Sequence, residues 1–208
     1  MPLHKSKQRT RTGLPLWVKL LLAMLFASTL GVIGVSGIVW NLSLDLPDVE
    51  ALHSHQPSLV THVYADDGRP IGQFSVERRI LTPLDKMPRE LLQAVIAVED
   101  ARFREHGGVD IFGIVRAVVT NLEALRIRQG ASTITQQLAR SVFLTPKRSY
   151  TRKIKEAILA VRMEKTLSKD KILELYLNQI YFGHGAYGVA AAAKTYFSKN
   201  HPFKKISR

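Results

Sequence analysis

Residues 94–108 read AVIAVEDARFREHGG and set an acidic pair, Glu99-Asp100, inside an apolar helical pattern. Leu92, Val95, Ile96, Glu99 and Phe103 recur at the spacing of one helix face. The pattern predicts a helix over 88–105, with Glu99 on the stripe that meets a core or a cleft and Arg102 and Arg104 turned away. A carboxylate held against apolar surface is harder to ionise, so its pKa is expected to rise. That suits a general base or acid working near neutral pH. The plainer alternative is a solvated Glu99 at the helix rim.

Downstream of this stretch the periodicity predicts helices over 110–126, 133–143, 150–166, 169–181 and 186–197. Ser168 reads as an N-cap, with Leu167 and Ile172 as a hydrophobic staple. The breaks fall at Gly107-Gly108, Gly130-Ala131 and Gly183-His184-Gly185, loops where a rigid scaffold can present chemistry. Three further constellations follow the acidic pair. Gly130-Ala131-Ser132-Thr133-Ile134-Thr135-Gln136-Gln137 opens a helix with exposed N–H groups and hydroxyls, and Thr133 with Gln136 fits a capping box. Arg152 and Lys153 stand one helical turn before Glu156, a grouping suited either to a pyrophosphate or to a plain salt-bridged face. In KILELYLN, residues 171–178, the apolar spacing is that of a core helix, with Tyr176 and Asn178 free to make buried hydrogen bonds. His106 is expected to hydrogen-bond behind the site, and no His/Cys spacing points to a zinc centre.

Upstream, Asp85 and Pro88 fit the start of the first helix. Leu59 to Tyr64 and Pro70 to Phe74 read as a small hairpin turning at Asp66-Asp67-Gly68-Arg69. From Leu20 to Leu44 no residue is charged, and residues 20–40 form an apolar run long enough for a hydrocarbon core, with Trp17 and Trp40 near its ends. A cleaved signal peptide would have a shorter apolar region and a small-residue site. The net charge is +13, and residues 1–19 supply five of these charges with no acid among them. That bias puts the N-terminus on the cytoplasmic side of the membrane and the rest outside. Nucleic acid is not needed to explain it. With no Cys, disulfide and thiolate chemistry are excluded. The chain thus divides into a basic tail (1–19), a transmembrane helix (20–40), a juxtamembrane linker (41–58), a mainly α domain (59–199) and a closing segment (200–208).

Taken in order, Glu99-Asp100-x-x-Phe103-x-x-His106-x-Gly108, Gly130-x-Ser132-Thr133-Ile134-Thr135-Gln136-Gln137, Arg152-Lys153-x-x-Glu156 and Lys171 to Asn178 resemble the peptidoglycan glycosyltransferases. These are the module of class A penicillin-binding proteins and the monofunctional transglycosylases. The resemblance implies a lysozyme-like, mainly α fold with a small membrane-proximal jaw lobe. It implies polymerisation of lipid II into glycan strands with inversion and release of undecaprenyl pyrophosphate. It makes Glu99 the catalytic base. Glu156 is the second catalytic carboxylate, linked to a divalent cation, Mg or Mn. Asp100, Phe103, His106, Ser132, Thr133, Gln137, Arg140, Arg152 and Lys153 fall on the substrate-binding side. Arg140 departs from the family's usual Lys. The implied partners are lipid II, the nascent strand, the membrane and other cell-wall synthases. Asn200 to Arg208 lacks helical periodicity and departs from the family's continuation, so a truncation is expected there. A catalytically impaired remnant that still binds lipid II or partner synthases is the alternative reading. A glycan-cleaving hydrolase fits less well, since it has no use for the Arg152/Lys153 patch.

Overall fold

The computed structural model describes residues 14–52, 61–67, 69–74, 78–126, 130–147 and 149–198. The chain forms two units, residues 1–44 and 45–208. The first is helix α1 (Leu16–Leu44), 29 residues with none buried. At 1.5 Å per residue it is about 43 Å long, enough to cross a hydrocarbon core of about 30 Å with tilt. Ser28 and Thr29 donate their hydroxyls to the Leu25 carbonyl, both at 2.8 Å, so these polar groups are satisfied within the helix. The helix outruns the predicted 20–40 at both ends. Its stops are Pro15 and the Asp45-Leu46-Pro47 turn.

The second unit begins inside the predicted linker. A 3-10 turn (Val49–Leu52) buries Val49 and Leu52 in the core. Strands β1 (Thr61–Tyr64) and β2 (Pro70–Phe74) pair antiparallel, as the hairpin pattern predicts. Leu59, Val60 and Gly68 lie outside the described residues. Strand β3 (Arg78–Arg79) pairs parallel with β4 (Ala186–Tyr187).

Six helices follow: α2 (Arg89–Glu99), α3 (Ile111–Glu123), α4 (Ile134–Phe143), α5 (Tyr150–Thr166), α6 (Lys169–Gln179) and α7 (Val189–Phe197). Their starts are written locally. Ser149 and Ser168 accept the backbone N–H of Arg152 and Lys171 at 3.0 and 3.2 Å. Thr133 and Gln136 complete a capping box on α4. The core lies where α4, α5 and α6 meet, around Ile134, Leu138, Leu159, Met163, Ile172, Leu173 and Leu177. Each such side chain contributes about 1.5–3 kcal/mol of burial. The segment after β3 is fastened along α6: Arg79 donates to Gln179, Thr82 N–H donates to Asn178 Oδ1 at 2.9 Å, and Leu84 N–H donates to Glu174 at 3.0 Å.

Two predicted boundaries are corrected. The helix expected over 88–105 ends at Glu99, because the Asp100 backbone turns out of the helical region (φ −161°, ψ 73°) and its side chain is committed to another helix. The helix expected from 186 begins at Val189, because residues 186–187 pair with β3. Gly188 makes that junction possible: its φ is +82°, and a Cβ there would lie 2.8 Å from the Asn178 carbonyl oxygen. Helix α3 buries only Gly113 and Ala117 and leaves Phe112, Val115, Val119 and Leu122 exposed.

Candidate active site

Glu99 is the last residue of α2, and its side chain meets Gln137 of α4. Gln137 Nε2 donates to Glu99 Oε2 at 2.9 Å, and the Tyr176 hydroxyl of α6 donates to Gln137 Oε1 at 3.3 Å. Glu99 is exposed, so the buried apolar setting expected from the helix pattern is not what surrounds it. The reason is the early end of α2: Phe103 reaches the core from a turn rather than from the Glu99 stripe. Glu99 instead lines an open groove of about 300 Å³ with Ala97, Asp100, Asp110, Arg116, Gly130 and Ser132. Tyr176 is buried, and burial together with the Glu99 carboxylate pushes its phenol well up, Arg140 opposing only in part.

The residue beside Glu99 does structural work. The Asp100 carboxylate accepts the Ile134 N–H at 3.0 Å, at the positive end of α4. It also accepts from His106 Nε2, with both oxygens at 3.0 Å. Gly108 N–H donates to His106 Nδ1 at 3.2 Å, so the ring carries its proton on Nε2. Thr133 donates its hydroxyl to the Gly108 carbonyl at 2.6 Å. Gly108 itself has φ +98°, and a Cβ there would lie 2.7 Å from the Ala160 backbone of α5. Lys169 closes the loop from below, donating to the His106 carbonyl at 2.6 Å with its ammonium 4.5 Å from the Phe103 ring centre.

These contacts engage four residues expected on the substrate-binding side, of which Asp100 and Thr133 also line the groove. Phe103 is fully buried and offers no surface to a substrate. Thr133 and the side chains of Asp100 and His106 are buried in the loop's own hydrogen bonds. They hold the groove's shape, with His106 in the supporting position its loop setting suggests.

Ser132 does line the groove, and Lys153 Nζ donates to its Oγ at 2.8 Å. The same ammonium reaches Glu156 Oε2 at 3.0 Å. Glu156 is buried, with its Oε1 facing Arg152 Nε at 3.2 Å, out of line for a hydrogen bond. Arg152 also donates to the Pro146 carbonyl at 2.7 Å and, with Arg140, lines a hollow of about 430 Å³. Glu99 and Glu156 thus share no direct contact. Ser132 lines the groove with Glu99 and accepts from Lys153, which also donates to Glu156.

A resident divalent cation does not fit at Glu156. Each of its oxygens already faces a cation of the chain, and a third positive charge would meet both. Among the described residues there is no group of three His, Asp or Glu side chains able to hold an ion. Asp110 and Arg116 line the groove without having been singled out from sequence. The available signal was Arg116 itself, a charge within the apolar pattern of residues 111–119.

Residues 67–206 match the family described as Transglycosylase. The chain is 52% identical over 155 residues to Penicillin-binding protein 1A of Neisseria flavescens, covering 74% of this chain and 19% of the relative. It is 48% identical over 181 residues to Penicillin-binding protein 1A of Vibrio cholerae, covering 87% and 22%. Against Penicillin-binding protein 1A of Escherichia coli K12 it is 50% identical over 170 residues, covering 82% and 20%. The chain spans about a fifth of the length of these curated relatives. The expected closing segment, 200–208, lies outside the described residues. With the ordered motifs and the family match over residues 67–206, the chain belongs to the transglycosylase family.

Proposed function

We propose that the chain is a membrane-anchored peptidoglycan glycosyltransferase that polymerises lipid II. The observation that carries this reading is the link from Glu99 through the groove to Ser132, Lys153 and Glu156. A hydroxyl in the groove can give its proton to the Glu99 carboxylate, which is open to solvent and held by Gln137. In the proposed step the acceptor sugar's 4-hydroxyl oxygen forms the new bond to the anomeric carbon. The bond to the lipid diphosphate breaks on the opposite face, and undecaprenyl pyrophosphate leaves with the electron pair. Arg140, Arg152 and Lys153 supply positive charge for that diphosphate. Glu156 holds two of these cations in position. A divalent ion carried on the substrate's phosphates would add further neutralisation.

Helix α1 suits an anchor, and the basic residues before it put the N-terminus in the cytoplasm and the groove on the outer, periplasmic side. The exposed apolar face of α3 suits the membrane-proximal jaw lobe of a lysozyme-like module. The test is polymerisation of labelled lipid II by membranes carrying the chain or its Glu99→Gln variant. Loss of polymer with unchanged membrane content is expected. Undiminished polymer in the variant overturns the assignment of the base, and lipid II binding without any polymer in the unmodified chain favours the non-catalytic reading.

A further inference from the structure

We infer that Tyr176 is a positioning residue for Glu99, acting through the side-chain amide of Gln137. The inference rests on the reading of Glu99 as the base. It starts from an asymmetry in the contacts. A carboxylate only accepts hydrogen bonds, so Glu99 must face the NH2 end of the Gln137 amide. The oxygen end then points to Tyr176, whose hydroxyl donates to it at 3.3 Å. If the amide were turned over, its oxygen would face the Glu99 carboxylate and its NH2 the phenol, a repulsive arrangement at the charged end. Glu99 therefore selects the amide orientation, and Tyr176 secures it by donating to the oxygen end.

The amide torsion of glutamine is intrinsically broad, so the orientation of Gln137 depends on its partners. Tyr176 can hold it because the ring is packed into α6's buried face, 3% exposed, and its hydroxyl has a fixed place. A buried tyrosine hydroxyl needs a partner, and Gln137 is its partner among the described residues. Successive hydrogen bonds also polarise one another, which makes Gln137 a better donor to Glu99. The phenol is protonated at neutral pH and able to donate, and the upward push by burial and by Glu99 extends that range into alkaline solution. This matters because Glu99 ends a helix and is exposed. Among the described residues, its carboxylate is held by the Gln137 amide, and that amide by the Tyr176 phenol. The other charged groups lining the Glu99 groove are Asp100, and Asp110 and Arg116 around α3, while Arg140 of α4 acts on Tyr176.

The test uses the full chain in detergent with lipid II. Tyr176→Phe keeps the ring and removes the donor. Its kcat should fall about tenfold while KM for lipid II stays within about twofold, the pattern of a group acting on the chemical step alone. The acidic limb of the pH profile should move up, because a carboxylate that loses hydrogen-bond support is easier to protonate. Gln137→Met, which leaves Tyr176 in place, should move the limb the same way. In that background a further Tyr176→Phe change should cost less than about twofold, since both act through one amide. Additive losses, or an unmoved limb with normal kcat, overturn the inference. A second readout needs no turnover: hydrogen exchange of the Gln137 side-chain amide, followed by 15N NMR, should be about tenfold faster in Tyr176→Phe, as expected for a hydrogen bond of about 1.4 kcal/mol. Unchanged exchange overturns the inference whether or not polymer forms. Polymerisation that survives Glu99→Gln would instead overturn the base, leaving the measured coupling of Tyr176 to Gln137 as it stands.

Discussion

The Asp100 carboxylate accepts the backbone N–H of Ile134 at 3.0 Å, so the residue next to Glu99 holds the first turn of α4. Gln137, which holds Glu99, stands one turn further along that helix. The end of α2 and the start of α4 are thereby a single rigid corner. The same carboxylate is a helix cap and the partner of His106. Asp100→Ala should destabilise the protein by about 2–4 kcal/mol, the sum expected for a lost cap and a lost charge-assisted hydrogen bond. Asp100→Asn retains an acceptor and should lose less. Urea unfolding of both variants measures this, and equal stability of Asp100→Ala and the unmodified chain contradicts it.

Glu156 is buried between two cations of its own helix. Removing either cation leaves the other to compensate. Removing both strands a buried carboxylate, and breaking buried pairs typically costs about 3–5 kcal/mol. Arg152→Ala and Lys153→Ala should therefore each be mild, about 1 kcal/mol, and the double variant should lose clearly more than the sum. Denaturant midpoints of the three variants give the coupling. Strict additivity contradicts the arrangement.

Stability should depend on pH at both extremes. Burial would push the Glu174 carboxyl up, but hydrogen bonds from Lys171 and from the Leu84 N–H outweigh it and hold the group below its ordinary value of 4.5. A lowered folded-state pKa contributes stability above the unfolded value and loses it as the pH falls through the folded one. Glu174→Gln should thus be less stable than the unmodified chain at neutral pH, by about 0.5–1 kcal/mol for a partly exposed pair, and the difference should close below about pH 4.5. Tyr176 has the opposite sign. Its raised pKa contributes stability present below the unfolded value of 10.0 and lost as the pH rises beyond it. Thermal unfolding across pH should show an alkaline fall that is reduced in Tyr176→Phe. Parallel profiles for the two proteins contradict this.

Phe112 is 73% exposed on α3, one turn from the exposed Val115. The chain has no Cys, so a single Phe112→Cys change gives one clean site for a nitroxide label. With the chain in vesicles, the label should relax faster with dissolved oxygen than with a water-soluble nickel complex, as expected for a group below the lipid headgroups. Preference for the nickel complex at this position would contradict membrane contact by α3.

Much of the architecture was legible along the chain because it is encoded locally. Ser149, Ser168 and the Thr133–Gln136 box announce their helices through side chains that satisfy backbone groups a few residues away. The pairing of Arg152 and Lys153 with Glu156 follows from helical spacing alone, since residues three and four apart share a face. The apolar span likewise depends only on length and absence of charge. Helix phase near Asp100 was different. Periodicity carries the pattern on to Phe103, yet the chain turns at Asp100 because that carboxylate is bound by Ile134, 34 residues away. The same long-range tie leaves Glu99 exposed and makes Phe103 core rather than binding surface. Residue order and spacing determined most of the elements, the long apolar helix and the family. Only the tertiary structure decided which acid faces the groove and which holds the corner, because burial and hydrogen-bond partners arise where distant segments meet.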